Sequence, residues 1–155
     1  MAFKTDGGGV AFKCTDAKLQ TKASTWATRL SHLGREKGVV RIITYSLPDI
    51  NYVQVQLGRR PRDILLIAHS EFRNRALRIK LKFPAIRIAV NAQVHSKVLL
   101  IAPHTITISS ANFGDSTWHE TSVSFHSKKA HDWYASEVFD PLWQSSQEVT
   151  TPRSV

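Results

Sequence analysis

The sequence predicts an α/β chain: a mixed β-sheet flanked by helices on both faces, in a single domain. Three observations predict it. Short runs at 39–45, 64–68 and 86–90 are rich in β-branched residues and apolar almost throughout, as strands covered on both faces are. Segments with helical periodicity lie between and around them, so strands alternate with helices. The chain has 155 residues, 42% hydrophobic and 21% charged, which fills one domain and leaves no room for two.

The elements follow in order. Residues 1–14 read as a loosely packed entry segment. Gly7, Gly8 and Gly9 make a loop rather than a phosphate cradle, because no strand precedes them and no Gly-Lys-Ser/Thr follows. Thr15 or Asp16 then caps a predicted helix, in which Leu19, Ala23, Trp26, Leu30 and Leu33 recur at helical steps until the stop at 34–38. After the 39–45 strand, residues 50–58 suit a short helix. Residues 71–82 suit a second helix, although Leu77, Ile79, Leu81 and Phe83 alternate with Arg78, Lys80 and Lys82 as in a strand. Runs at 97–101 and 105–108 form a hairpin with Pro103-His104 as its turn, and 121–125 is a further strand. Ala130, Trp133, Tyr134, Val138 and Phe139 give a closing helix that Pro141 ends or kinks, unless Asp140-Pro141 opens one more turn. Residues 145–155 read as a tail, and Trp26, Trp133 and Trp143 as packing residues.

Charge narrows the partner. Lys and Arg number 21 against 12 Asp and Glu, a net +9 with a pI near 10.1. This surplus favours a polyanion, nucleic acid before an anionic membrane surface; the alternative is a solvated basic face. Arg59, Arg60 and Arg62 in one loop, with Arg73, Arg75, Arg78, Lys80 and Lys82 in one segment, are the candidate phosphate contacts. No helix-turn-helix or zinc-finger pattern accompanies them, so sequence preference is expected to be weak. Cys14 is the sole cysteine, which excludes a disulfide framework and a Cys-based zinc site. The amino terminus lacks the apolar core of a signal peptide and no window has the length of a membrane span, so a cytoplasmic protein without membrane association is expected.

Seven histidines, at 32, 69, 95, 104, 119, 126 and 131, invite a metal, yet no pair has the spacing of a helical ligand motif, and neither metal nor cofactor is expected. A Ser/His/Asp hydrolase lacks its Gly-x-Ser-x-Gly elbow. His69 reads as a satisfied structural imidazole. The distinctive stretch is His95-Ser96-Lys97 before an apolar strand, then Ser109-Ser110-Ala111-Asn112-Phe113, then His119-Glu120. His95 and Lys97 are two apart and share a strand face, and the hairpin brings Ser110 and Asn112 beside them. An imidazole, a cation, a hydroxyl and an amide on one spot suit a phosphodiester: the imidazole attacks phosphorus or moves a proton, while Lys97 and Asn112 offset charge on the non-bridging oxygens. Glu120 is placed to accept the other imidazole N–H and hold the tautomer.

His95-x-Lys97, then Ser110-x-Asn112, then Glu120 resembles the His-x-Lys signature of the phospholipase D superfamily, with its Gly-Ser-x-Asn and later Glu. The resemblance runs over residues 39–143, about two-thirds of the chain. It departs at Ala102, where the family has an Asp, and at Ser109, where it has a Gly. The resemblance implies metal-independent phosphodiester cleavage through a phosphohistidine, one His attacking phosphorus while a second protonates the leaving oxygen. One copy of the motif supplies half of that site, so it also implies a homodimer that contributes His95, Lys97, Asn112 and Glu120 twice. Small single-motif members resemble nucleases, which makes a nuclease of low sequence specificity, acting on DNA rather than RNA, the leading expectation. The alternatives are a catalytically silent nucleic-acid-binding relative and, behind it, a lipid phosphodiesterase. Trp118 and His119, flanking Glu120, fall where the family places a loop near its active site.

Overall fold

The computed structural model describes residues 2–21, 26–31 and 33–151, whose strands join in one mixed sheet. In chain order these are β1 (Ala17–Thr21), β2 (Val40–Ile43), β3 (Ile64–His69), β4 (Arg87–Asn91), β5 (Val98–Ile101), β6 (Thr105–Ser109), β7 (Thr121–His126) and β8 (Gln147–Glu148). Across the sheet they run β1-β7-β6-β5-β2-β3-β4-β8. β2, β3 and β4 are parallel, as crossovers through helices require, and every other pairing is antiparallel. The helices are α1 (Trp26–Leu30), α2 (Ile50–Leu57), α3 (Arg73–Lys82), α4 (Lys128–Tyr134) and α5 (Asp140–Gln144).

Strand side chains alternate between two apolar layers. Val40, Ile42, Ile64, Leu66, Ile88, Val90 and Leu99 pack against Trp26, Leu30, Val53, Leu57, Ala76 and Ile79 of α1, α2 and α3. Their sequence neighbours Ile43 and Ile67 meet Phe139, and Val98, Leu100 and Ile106 meet Ala130 and Ala135 on the other side. With helices on both faces, both parities of a strand are buried, which is why its sequence is apolar without alternation.

Local chemistry sets the helix ends. Asp49 caps α2, its Oδ1 accepting from Tyr52 N at 2.9 Å, and Ser127 caps α4, its Oγ accepting from Ala130 N at 3.2 Å. Residues 73–82 are helical because Ala76 and Ile79, three apart, share the buried face, whereas a strand would put them on opposite faces. Pro141 does not stop the closing helix. It occupies the first turn of α5, where its missing N–H is of no consequence, and the π-helical turn Ala135–Phe139 takes up the change of register before it.

Two expectations are corrected. The helix over 15–33 divides: Ala17–Thr21 is an edge strand, paired Leu19↔Val123 with β7, and of the described residues only Trp26–Leu30 is helical, while Ala23 lies outside them. The open edge of β7 offers this segment a full backbone ladder, and tertiary pairing overrides a periodicity that Leu19, 69% exposed, does not use for burial. The tail is also partly built into the fold. β8 pairs with β4, and Val149, 2% exposed, joins the core with its N–H on Ile88 O at 2.8 Å. Within the entry segment, Phe12 stacks on Phe125 with ring centroids 5.1 Å apart.

Candidate active site

The candidate residues collect at the edge of the sheet where β2, β3 and β4 end, the place at which parallel α/β sheets hold ligands. β5 runs antiparallel to β2 with Ile43↔Val98, so Lys97 emerges beside Thr44 and Tyr45. Ser109 N donates to Lys97 O at 3.0 Å and Ser110 N to Thr121 O at 2.9 Å, which lines up the segments bearing Lys97, Ser110 and Glu120. The site residues stand in loops at strand ends rather than within the hairpin strands.

His95 is exposed and Lys97 half-buried. Lys97 Nζ lies 3.2 Å from His95 Nδ1 and 3.5 Å from its Nε2. An ammonium only donates, so a ring nitrogen that bonds to it does so as the acceptor. Burial lowers the Lys97 pKa, and the nearby Glu120 charge partly opposes this. The Tyr45 ring flanks His95 at 5.4 Å and His69 at 4.7 Å, and its hydroxyl donates to Glu71 Oε2 at 2.6 Å, a bond that raises the Tyr45 pKa. His69 has both nitrogens engaged: Nε2 faces Ala92 O at 3.0 Å and Nδ1 accepts from Glu71 N at 3.2 Å. That is the structural imidazole its sequence position suggests.

Asn112 is clamped by backbone. Its Oδ1 accepts from Tyr45 N at 3.2 Å and Ser46 N at 3.3 Å, which leaves the amide N–H groups as the half able to donate to a substrate. Thr44 Oγ1 reinforces the clamp by accepting from Phe113 N at 2.9 Å. Ser110 Oγ donates to Glu120 Oε2 and accepts from Thr121 N at 3.0 Å, and Ser116 Oγ donates to Glu120 Oε1 at 3.2 Å. Here the structure departs from expectation, because within one chain both Glu120 oxygens are taken by serines and the carboxylate makes no hydrogen bond to His95. Sequence reading also missed Thr44, Tyr45, Glu71 and Ser116. The usable signal was their position at or just after the ends of parallel strands, or in the loop before Glu120.

An open cleft of about 800 Å³ adjoins Asn112 and Glu120, with Ser46, Tyr52, Arg75 and Trp118 among its walls; His95 and Lys97 lie outside it. Asp49, Asp115 and Glu120 outnumber Arg75 there, so the cleft is not a phosphate cradle. Burial, aided by the Asp115 charge, raises the Tyr52 pKa. Gly114 forms the floor at φ +143°, where a side chain would be strained and its Cβ would meet Pro48 Cβ at 3.3 Å. Trp118, 78% exposed, stands on the lip, its N–H on Ser116 Oγ at 3.2 Å.

The basic residues divide between two places. α3 begins at the active-site edge, and Arg75 lines the cleft with its Nη1 on Leu47 O at 2.6 Å. Arg73 binds Gln147 Oε1 at 2.8 Å and Lys80 binds Pro84 O and Ile86 O, while Arg78 and Lys82 are exposed farther along α3. Arg59, Arg60 and Arg62 precede β3 and therefore lie at the opposite edge of the sheet. Arg60 is 7% exposed, its Nη2 donating to Gly38 O at 2.7 Å and to Asp63 Oδ2 at 3.4 Å. Among the described residues no group of three His, Cys, Asp or Glu side chains could hold a metal ion, and no helix is long and apolar enough to cross a membrane. His32 lies outside the described residues.

No protein-family model matches the sequence, and no curated protein does. Solved structures do. The chain is similar to Nuc from Salmonella typhimurium, a phospholipase D family member, with TM-score 0.69 and 15% identity over 88% of this chain and 100% of that one. NucT from Helicobacter pylori gives TM-score 0.66 and 13% identity over 86% and 100%. TrmBL2, an archaeal chromatin protein with its own mode of DNA binding, gives TM-score 0.61 and 9% identity over 84% of this chain and 53% of that one. The chain therefore shares the fold of the phospholipase D family member Nuc, an α/β arrangement of helices around a single mixed sheet.

Proposed function

We propose that this chain is a metal-independent phosphodiesterase of nucleic acid, a nuclease with DNA as its first substrate, working in the cytoplasm at a site completed by a second copy of itself. The observation that carries the reading is the convergence of His95, Lys97, Asn112 and the Ser110–Glu120 pair at one sheet edge. An imidazole nitrogen of His95 attacks phosphorus, the P–O bond to the leaving oxygen breaks, and the partner's His95 delivers the proton that oxygen needs. Water, deprotonated by that same partner imidazole, then cleaves the phosphohistidine to a phosphate monoester and frees His95. Lys97 and the Asn112 amide N–H groups offset charge on the non-bridging oxygens throughout. The net charge of +9 favours a polynucleotide over a lipid as the diester presented.

Cleavage of DNA in excess EDTA, lost in His95→Ala while DNA binding and chain association persist, is the expected result. EDTA-sensitive cleavage overturns it. Parallel reactions with single-stranded DNA, duplex DNA, RNA and phospholipid vesicles assign the diester. A second reading is a silent nucleic-acid-binding protein, favoured by Ala102 in the place of the family's Asp and by the likeness to TrmBL2. DNA binding without any covalent phosphoryl group on His95 selects it.

A further inference from the structure

At the edge of the sheet opposite His95, the loops leading into β2 and β3 enclose a second cleft of about 700 Å³. Arg35, Lys37, Arg59, Arg60 and Arg62 line it against only Glu36 and Asp63. Asp63 already pairs with Arg60. The cleft thus presents a surplus of cations in a concave, pre-shaped setting, whereas the walls of the active-site cleft are acidic.

Arg60 shows that this is more than a charged surface. Its side chain is 7% exposed and keeps its charge, because a guanidinium does not deprotonate in proteins. Nη2 has two acceptors, Gly38 O and Asp63 Oδ2, but Nη1 is buried with none among the described residues. A guanidinium with one amino group unmet in a desolvated place is unfavourable, and an anion in the cleft that Arg60 lines offsets its charge without having to reach the buried nitrogen. The surrounding backbone is tied in place. Arg59 Nη1 donates to Ser31 O at 2.7 Å, Asp63 holds φ 56°, and Val40 N donates to Asp63 O at 2.9 Å.

We propose that this cleft binds a phosphate group. A tetrahedral oxyanion offers acceptors in several directions at once, as converging guanidinium groups require. It is a site apart from the catalytic one: the six residues of β3 separate them, about 17 Å at about 3.3 Å per residue. One phosphate cannot serve both, but a stacked strand at about 3.4 Å per nucleotide covers the separation in about five nucleotides. The phosphate therefore comes from a polynucleotide held at a distance from the cut, or from a free mononucleotide. Only the polynucleotide source rests on the nuclease reading; the phosphate site stands without it.

The test is a titration of the 15N-labelled chain with inorganic phosphate, read at individual residues. Signals of residues 34–38, 59, 60, 62 and 63 are expected to move together and saturate, on a curve separate from that of Lys97 and Asn112. Arg62→Ala, at an exposed position, weakens the far-edge curve at least about tenfold, the loss of one charge-assisted hydrogen bond, and leaves the Lys97 curve in place. Because Arg60→Ala also cuts the ties to Gly38 and Asp63, Arg35→Ala serves as the second variant, with a thermal melt to show the fold intact. Far-edge signals that stay still, or that move identically in wild type and both variants, overturn the site. The source is settled on the uncleaved His95→Ala chain. Equal saturation by a mononucleotide assigns a free ligand, and tighter binding of a strand of about twelve nucleotides, whose salt slope falls by about one in Arg62→Ala, assigns the backbone. A chain that titrates with phosphate here yet cleaves no nucleic acid keeps this site and loses the nuclease reading.

Discussion

Lys97 holds its charge where burial disfavours it, and Glu120 opposes that effect in part. Removing the carboxylate charge by Glu120→Gln leaves burial unopposed, so the Lys97 pKa falls further. Sequence-assigned NMR of the lysine side chain checks it; an unchanged or raised titration point refutes the coupling. For the proposed cleavage the alkaline limb of the pH–rate profile then moves to lower pH, since the ammonium is lost earlier. For stability, with a folded-state pKa below the unfolded one, Lys97 works against folding at neutral pH; the penalty begins to lift as pH rises through the folded value and is gone above the unfolded one. Asn112 is separable into its two halves. Asn112→Asp still accepts from Tyr45 N and Ser46 N but has no N–H to give a phosphoryl oxygen. The expected outcome is an intact fold with kcat down by about 10²- to 10³-fold, the loss typical of one preorganised donor. A variant that keeps most of its kcat places the transition-state donor elsewhere.

At the scale of elements, what the sequence made legible followed burial. β2, β3, β4 and β5 were readable because both faces of each are covered and their apolar runs admit no other use. β1 was not, because Leu19, Trp26 and Leu30 recur at helical steps while the ladder to β7 that makes Ala17–Thr21 a strand is formed with residues a hundred positions away. β8 has two residues and no periodicity to read. Its side-chain anchor is the Arg87–Glu148 pair, with Nε to Oε1 at 2.8 Å and Nη2 to Oε2 at 2.7 Å. The hydrogen bonds from Arg87 lower the Glu148 pKa. This contribution is complete above the ordinary carboxylate value and disappears as pH falls through the depressed one. Hydrogen exchange is therefore expected to show the β4–β8 bonds opening early in an acid series, and Arg87→Ala to open them already at neutral pH. Equal protection in both proteins removes the pair from the account. Gly38 makes another such tie, since a Cβ there would lie 2.3 Å from Ala102 O. Gly38→Ala should destabilise by about 1–3 kcal/mol in urea unfolding. The site was legible in the order of His95, Lys97, Ser110, Asn112 and Glu120, whereas the backbone clamp on Asn112 joins residues 66 and 67 positions apart. Which sheet edge a run of arginines decorates depends on strand direction, so Arg59–Arg62 and Arg75 read alike in sequence and lie at opposite edges.

The whole molecule presents one His95 and one Lys97, with His95 exposed at the sheet edge and Glu120 bonded to its own serines. A two-step exchange at phosphorus needs a nucleophile and a proton donor together, so a chain with one motif imidazole is expected to act only when a second chain faces it across a two-fold axis. Wild-type and His95→Ala chains, co-refolded in equal amounts, pair at random if association is unaffected. A centre needing both imidazoles is dead in every mixed dimer, and about a quarter of the activity survives; independent centres retain about half. Across a series of ratios the first case follows the square of the wild-type fraction and the second follows a straight line. The curve distinguishes a shared site from a mere dimer of complete ones, which a size measurement alone does not. Activity that is linear in the wild-type fraction and unchanged on dilution assigns the whole reaction to a single chain, with the leaving-group proton then coming from within it.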